Sequence, residues 1–164
     1  MITEDEKKVY DALNQLEIPF TRYEHIPVYT IPEIDDLNLE MEGQHCKNLF
    51  VRNDNGNKHY LVLVSQEKRV DLKNLSAQIG STRLGFASEE RLLKHLGLTP
   101  GSVTPLGLLN DEEKRVTVLI DEDLRNSKHI CLHPNVNSAT VSILYDDFVK
   151  FLKWRGNEYR YVKM

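Results

Sequence analysis

Between Gly97 and Asp111 the chain reads GLTPGSVTPLGLLND, a run that interrupts any long helix or strand. It carries three of the eight glycines and two of the six prolines. Pro100-Gly101 suits the central pair of a type II turn, where proline presets φ and glycine supplies φ > 0. Gly97 stands where a glycine ends the preceding helix. Pro105 removes one backbone donor and stiffens the exit. The expected product is a rigid loop with small side chains, Ser102 and Thr104, and open N–H groups. A ligand's carbonyl or ribose could approach the main chain closely there. The same spacing also suits a plain connection from helix to strand, and both readings stay open at this point.

A chain of 164 residues, 40% hydrophobic and 28% charged, is expected to form one soluble globular domain over 1–164. It has no apolar run of the roughly 18 residues that a membrane span needs. The acidic start, Thr3-Glu4-Asp5-Glu6, lacks the basic region of a signal peptide. Two cysteines, Cys46 and Cys131, are too few for a disulfide framework, so a reducing cytoplasm is the expected location. The net charge of −4 argues against a general nucleic-acid coat but leaves room for a local basic face.

Thr3-x-x-Glu6 reads as a capping box, with Glu6 returning to the Thr3 backbone, and Val9, Ala12, Leu13 and Leu16 follow helical spacing over 4–16. Residues 18–25 alternate like a strand, and Thr30-Ile31-Pro32-Glu33 repeats the capping pattern ahead of a short helix. Asn53-Asp54-Asn55-Gly56 is a hairpin signal between an apolar strand from Cys46 to Arg52 and a return strand from His59 to Val64. A helix is expected over Val70–Ile79 with Leu72, Leu75 and Ile79 inward, then a short strand at 84–86 and a helix capped by Ser88 through Leu96. Strands follow at 115–120, 129–133 and 139–143, with a short helix or turn at 121–125 between the first two. An amphipathic helix over 146–155, stopped by Gly156, and an edge strand at 159–162 complete the chain. Strands and helices intermix without a βαβ rhythm, which predicts an α+β fold: a mixed sheet flanked by helices.

Lys47, at the head of an apolar strand, could offer a point charge to a carbonyl, phosphate or carboxylate; a surface lysine with a snorkelling stem fits the same position. His129, Cys131 and His133 alternate on one strand face, which suggests zinc ligands, yet positions i, i+2 and i+4 on a straight strand span too far to converge unaided. Cys46 beside His45 is a poor nucleophile–base pair because strand neighbours point to opposite faces, so both cysteines read as core filling. His133-Pro134-Asn135-Val136-Asn137 turns the chain with polar side chains able to bond a hydroxyl or an amine.

Three blocks in order carry a resemblance: Cys46-Lys47-Asn48-Leu49-Phe50-Val51, Leu98 through Leu108, and His133-Pro134-Asn135-Val136-Asn137-Ser138-Ala139-Thr140, with Val70-Asp71-Leu72-Lys73 between the first two. Together they resemble the YbaK-type editing domain, the family of the insertion domain of bacterial prolyl-tRNA synthetase and its freestanding relatives. The resemblance covers nearly the whole chain. It implies a mixed, curved and partly barrel-like sheet flanked by helices, and hydrolysis of the ester joining a wrong amino acid to the 3′ ribose of tRNA. It also implies that Lys47 contacts the tRNA end or aminoacyl group, and that the loop from Gly101 through Ser102 to Pro105 positions substrate and water. Asn48, Ser102 and Asn137 would bond the aminoacyl adenosine, His133 would line the amino-acid pocket, and Val103, Thr104 and Asn135 complete the expected substrate site. No metal, other cofactor or covalent intermediate is implied, and neither DNA nor membrane. The run from Thr104 to Asp111 and the Asn-Val-Asn turn look more like the branch that edits alanyl-tRNA(Pro) than the cysteinyl-tRNA(Pro) branch. That branch reads the tRNA acceptor stem itself, for which Lys68, Arg69, Lys73, Lys150, Lys153 and Arg155 are the basic candidates. Docking on prolyl-tRNA synthetase stays open. So do a non-catalytic accessory module that binds aminoacyl-tRNA or a synthetase, and a zinc hydrolase built on His129, Cys131 and His133.

Overall fold

The computed structural model describes residues 2–26 and 43–164, so the helix expected after Thr30 lies outside the described residues. Helix α1 spans Glu4–Gln15, and strands β1, β2 and β3 span Thr21–Glu24, Gln44–Arg52 and His59–Ser65. Helix α2 (Leu72–Ile79), strand β4 (Gly85–Phe86) and helix α3 (Glu89–Leu96) follow, then a 3-10 helix at Pro105–Asn110 and strand β5 (Val116–Asp121). A second 3-10 turn, Glu122–Asn126, leads to β6 (His129–Leu132), β7 (Ala139–Leu144), helix α4 (Tyr145–Arg155) and β8 (Tyr159–Val162).

The strands form one mixed sheet in the order β1-β7-β6-β2-β3-β5-β8, with β4 paired to β2. The β2–β3 hairpin is antiparallel, as Asn53 to Gly56 predicts, with Gly56 at φ +73. The pairs β2–β6, β3–β5 and β5–β8 are parallel. The strand order has two ends, β1 and β8, so this mixed sheet, flanked by helices as expected, does not close into a barrel.

Alternation sorts the side chains onto two faces. One face carries Cys46, Phe50, Leu61, Leu63, Val118, Ile120, Ile130, Leu132, Val141 and Ile143, and is covered by α1, α3, the 3-10 helix and α4. The other carries a smaller cluster, Val51, Tyr60, Val62 and Leu119, under Leu75 of α2.

Local departures have local causes. Thr3 caps α1 by accepting from the Glu6 N–H, but the Glu6 carboxylate does not complete the box. It is 1% exposed, and its Oε2 takes the Arg22 Nε–H at 2.7 Å and the Tyr10 hydroxyl, locking β1 to α1. Helix α2 starts two residues late because Asp71 acts as its N-cap, accepting from Lys73 and Asn74 N–H. The second half of the Gly97–Asp111 run is helical: Pro105 opens the 3-10 turn and the buried Thr104 hydroxyl accepts from Leu106 N–H.

Candidate functional site

Strands β2 and β6 run parallel only at Gln44–Ile130 and His45–Cys131. Lys47 and His133 each lie two residues beyond the last of these pairs and so stand at one level, Lys47 inside β2 opposite Val64 of β3 and His133 just past the end of β6. Parallel partners share a face, and so do residues two apart along a strand. His45, Lys47, Cys131 and His133 therefore fall on one face, joined by Ser142, which pairs with Cys131, and by Thr140 and Tyr23, which pair with each other. The α2-covered face is apolar toward β3 and β5 but polar across β2, β6 and β7. A parallel register carries no local sequence signal, which is why His45 and Thr140 escaped the sequence reading; the alternation His45–Lys47 beside Cys131–His133 was the visible clue.

His133 Nδ1 lies 3.3 Å from the Ala139 carbonyl, to which it can only donate, leaving Nε2 as an acceptor. Burial pushes its pKa down, and His25 and His45 push the same way against the Ala139 bond, so the ring is neutral. His25 Nε2 is 2.9 Å from Thr140 Oγ1, which brings the end of β1 to the same region. Beyond His133, Asn135 holds φ +63 and is only 5% exposed, and both its amide atoms are buried without a hydrogen-bond partner. An orphaned pair of this kind is what a ligand's hydroxyl or amine would satisfy. Asn137 is half-buried in the same bend.

Asn48 points the other way, with Cys46 and Phe50, and its Oδ1 is also buried without a partner. The Gly101 segment belongs to this second face: Leu98 and Leu106 are in the main core and Val103 packs against it. Gly101 sits at φ +91 and Ser102 N–H donates to Thr99 O at 3.1 Å, the bond of the expected turn. Three amides of the loop are thereby engaged, those of Ser102, Leu106 and Gly107, the last two on Thr104. Ser102, Thr104 and Pro105 are all buried. Lys47 and His133 are thus brought together on one face of the sheet, while Asn48 and the loop lie on the other.

The cysteines are buried, and burial, with Cys131 adding to it, drives the Cys46 thiol pKa well up, so Cys46 is no thiolate nucleophile. Among the described residues no three His, Cys, Asp or Glu side chains gather as metal ligands. The six basic candidates divide. Lys68 is held by Asp121 at 3.0 Å and Asp123 at 2.5 Å, and Arg155 donates to the Asp111 carbonyl at 3.2 Å, so both serve the fold. Lys150 reaches the Leu16 carbonyl, tying α4 to the end of α1. Arg69 and Lys73 are exposed near α2 and Lys153 on α4, on opposite sides of the sheet.

Comparison with known proteins agrees with this architecture. A model of the aminoacyl-tRNA editing domain matches residues 25–151. The chain is 44% identical over 156 residues to the prolyl-tRNA editing protein ProX of Acetoanaerobium sticklandii, covering 95% of each chain. It is 36% identical to prolyl-tRNA synthetase associated domain-containing protein 1 of Danio rerio, covering 90% of this chain and 80% of that one. The crystal structure of a proposed trans-editing enzyme for prolyl tRNA synthetase superposes with a TM-score of 0.72 at 21% identity, covering 100% of this chain and 99% of that one, and shows the shared fold. The chain belongs to the aminoacyl-tRNA editing domain family.

Proposed function

We propose that this protein is a trans-editing deacylase that hydrolyses the ester of mischarged tRNA(Pro), with alanyl-tRNA(Pro) as its substrate. The observation that carries this reading is Lys47 and His133 standing at one level of the β2–β6 pair, beside the orphaned amide of Asn135. Relatives named as prolyl-tRNA editing proteins support the tRNA, and the likeness of the Thr104–Asp111 run and the Asn-Val-Asn turn to the alanine-editing branch supports the amino acid.

The reaction adds water to the ester carbonyl carbon, breaks the bond to the ribose 3′ oxygen, and passes a proton to that oxygen. An aminoacyl ester is already activated, so positioning and polarisation suffice. In this reading Lys47 supplies the positive charge at the carbonyl or the terminal nucleotide. Neutral His133 and Asn135 shape the pocket and bond the substrate's polar groups. The Gly101 turn and Ser102 fix the ribose and water from the other side of the strand end. A pocket sized for alanine rejects proline by bulk, which is easier than rejecting a smaller side chain. Exposed Arg69 and Lys73 are the basic residues on the Lys47 side that could meet the acceptor stem, and docking on prolyl-tRNA synthetase would raise local substrate supply.

Deacylation of matched alanyl-, cysteinyl- and prolyl-tRNA(Pro) by wild type and Lys47→Ala tests the reading. We expect rapid loss of alanine alone, slowed about a hundredfold or more by the substitution in a protein that still folds. Cysteine release would transfer the protein to the cysteine-editing class. Tight tRNA binding without hydrolysis would make it an accessory module.

A further inference from the structure

At the far end of the β2–β3 hairpin, a cleft of about 560 Å³ is lined by Gly56, His59, Glu90, Arg91, Lys94, His95 and Arg115, among others. Register places it well away from the editing site: Lys47 pairs with Val64 and Arg52 with His59, five positions along the ladder, about 17 Å at strand rise. Its lining carries three permanent cations, Arg91, Lys94 and Arg115, and one carboxylate, Glu90, while Asp111 and Glu113 stand beside His95 and Arg115 in the adjoining hollow. Among the described residues Arg91 and Lys94 form no salt bridge, and Arg115 pairs with Glu113 at the surface.

The arrangement is built rather than incidental. Arg91 Nη1 donates to the Gly56 carbonyl and to His59 Nε2, each at 3.0 Å, which fixes the guanidinium plane. Backbone runs close beneath it, since a Cβ on Gly56 would come within 2.8 Å of Arg91 Nη2. His59 is 5% exposed, stacked on Phe50 at a centroid distance of 5.5 Å and tilted against His95 at 4.1 Å. As an acceptor from Arg91 its ring is neutral, so it orients the cation without cancelling its charge. Burial first, then the neighbouring His95, Arg91, Arg52 and Lys94, hold the His59 pKa down at about 4.

From this geometry we infer a second binding site, specific for a phosphate oxyanion, in which Arg91 presents a pre-oriented fork and Lys94 and Arg115 close over the anion. The chemistry fits a phosphodiester of an RNA backbone or the phosphate of a small metabolite. It does not depend on the editing reading, because none of its residues belongs to the Lys47 face.

The test uses the intact protein, inorganic phosphate, an uncharged RNA hairpin, and the variant Lys94→Ala/Arg115→Ala. Phosphate titration followed by the imidazole NMR signals of His59 and His95 is expected to shift both in wild type and neither in the variant. Hairpin binding, measured by fluorescence anisotropy over a salt series, is expected to weaken about tenfold, with the slope of log affinity against log salt falling by roughly 1.5. Loss of the phosphate response with unchanged hairpin affinity would assign the site to a small phosphate compound. Unshifted histidines in wild type, or a response the variant retains, would overturn it. Hydrolysis of an aminoacyl-adenosine ester is expected to be equal in both proteins, which separates this site from the catalytic one.

Discussion

Asn135 combines two costs in one residue: a left-handed backbone at φ +63 and two amide atoms sealed from water with nothing to bond. An orphaned buried polar group costs about 1–3 kcal/mol, a cost that a bound substrate group would offset in the proposed reading. Asn135→Gly keeps the backbone conformation and removes the amide. We expect deacylation to fall about tenfold while the urea midpoint reports a change of about 1 kcal/mol or less. A loss of activity that merely tracks a loss of stability would make Asn135 a packing residue. Residue types were legible in the sequence here, in that Lys47, His133 and Asn135 all drew attention. What could not be read was their surroundings. Lys68 looked like a free cation until the fold brought Asp121 and Asp123 onto it, and Glu6 looked like half of a cap until Arg22 and Tyr10 claimed it.

Among the elements, helix ends and the hairpin followed from local chemistry: Thr3, Asp71 and Ser88 cap as their types predict, and Gly80, Gly97 and Gly156 close helices at positive φ. The run after Gly97 was legible only in its first half. Its turn forms as expected, but five consecutive apolar or small residues, Pro105 to Leu109, bury themselves as a 3-10 helix in the main core. Thr104 is the joint between the two halves, and its fully buried hydroxyl accepts from the Leu106 N–H at the start of the helix. Thr104→Val, which keeps the shape and deletes the acceptor, is expected to cost about 1 kcal/mol in chemical denaturation. Thr104→Ser should recover most of it. A Val variant as stable as wild type would leave the hydroxyl available for substrate.

Across the whole molecule, the α+β class and the intermixed order of elements were readable, but the pairing was not. Hydrophobic alternation tells which side chains share a face of one strand; it is silent on which strands are neighbours. The face that joins His45, Lys47 and His133 exists only because β2 lies parallel to β6, more than eighty residues later in the chain. The same topology separates the exposed basic residues of α2 and α4 onto opposite sides.

The open strand order also sets a clock. The β2–β3 hairpin closes across a six-residue connection, whereas β1 waits for β7, with Glu24 opposite Ala139. Closing so long a loop comes late, because its entropy is lost before distant contacts compensate. In stopped-flow chevrons, Val62→Ala in the hairpin should chiefly slow folding, and Val141→Ala in β7 should chiefly speed unfolding. If the arms respond the other way round, assembly begins at the β1 edge. On the expected order, β1 is the last strand to dock and the first to leave, so the corner where His25, just past its end, meets Thr140 is the part of the molecule that survives least long under stress.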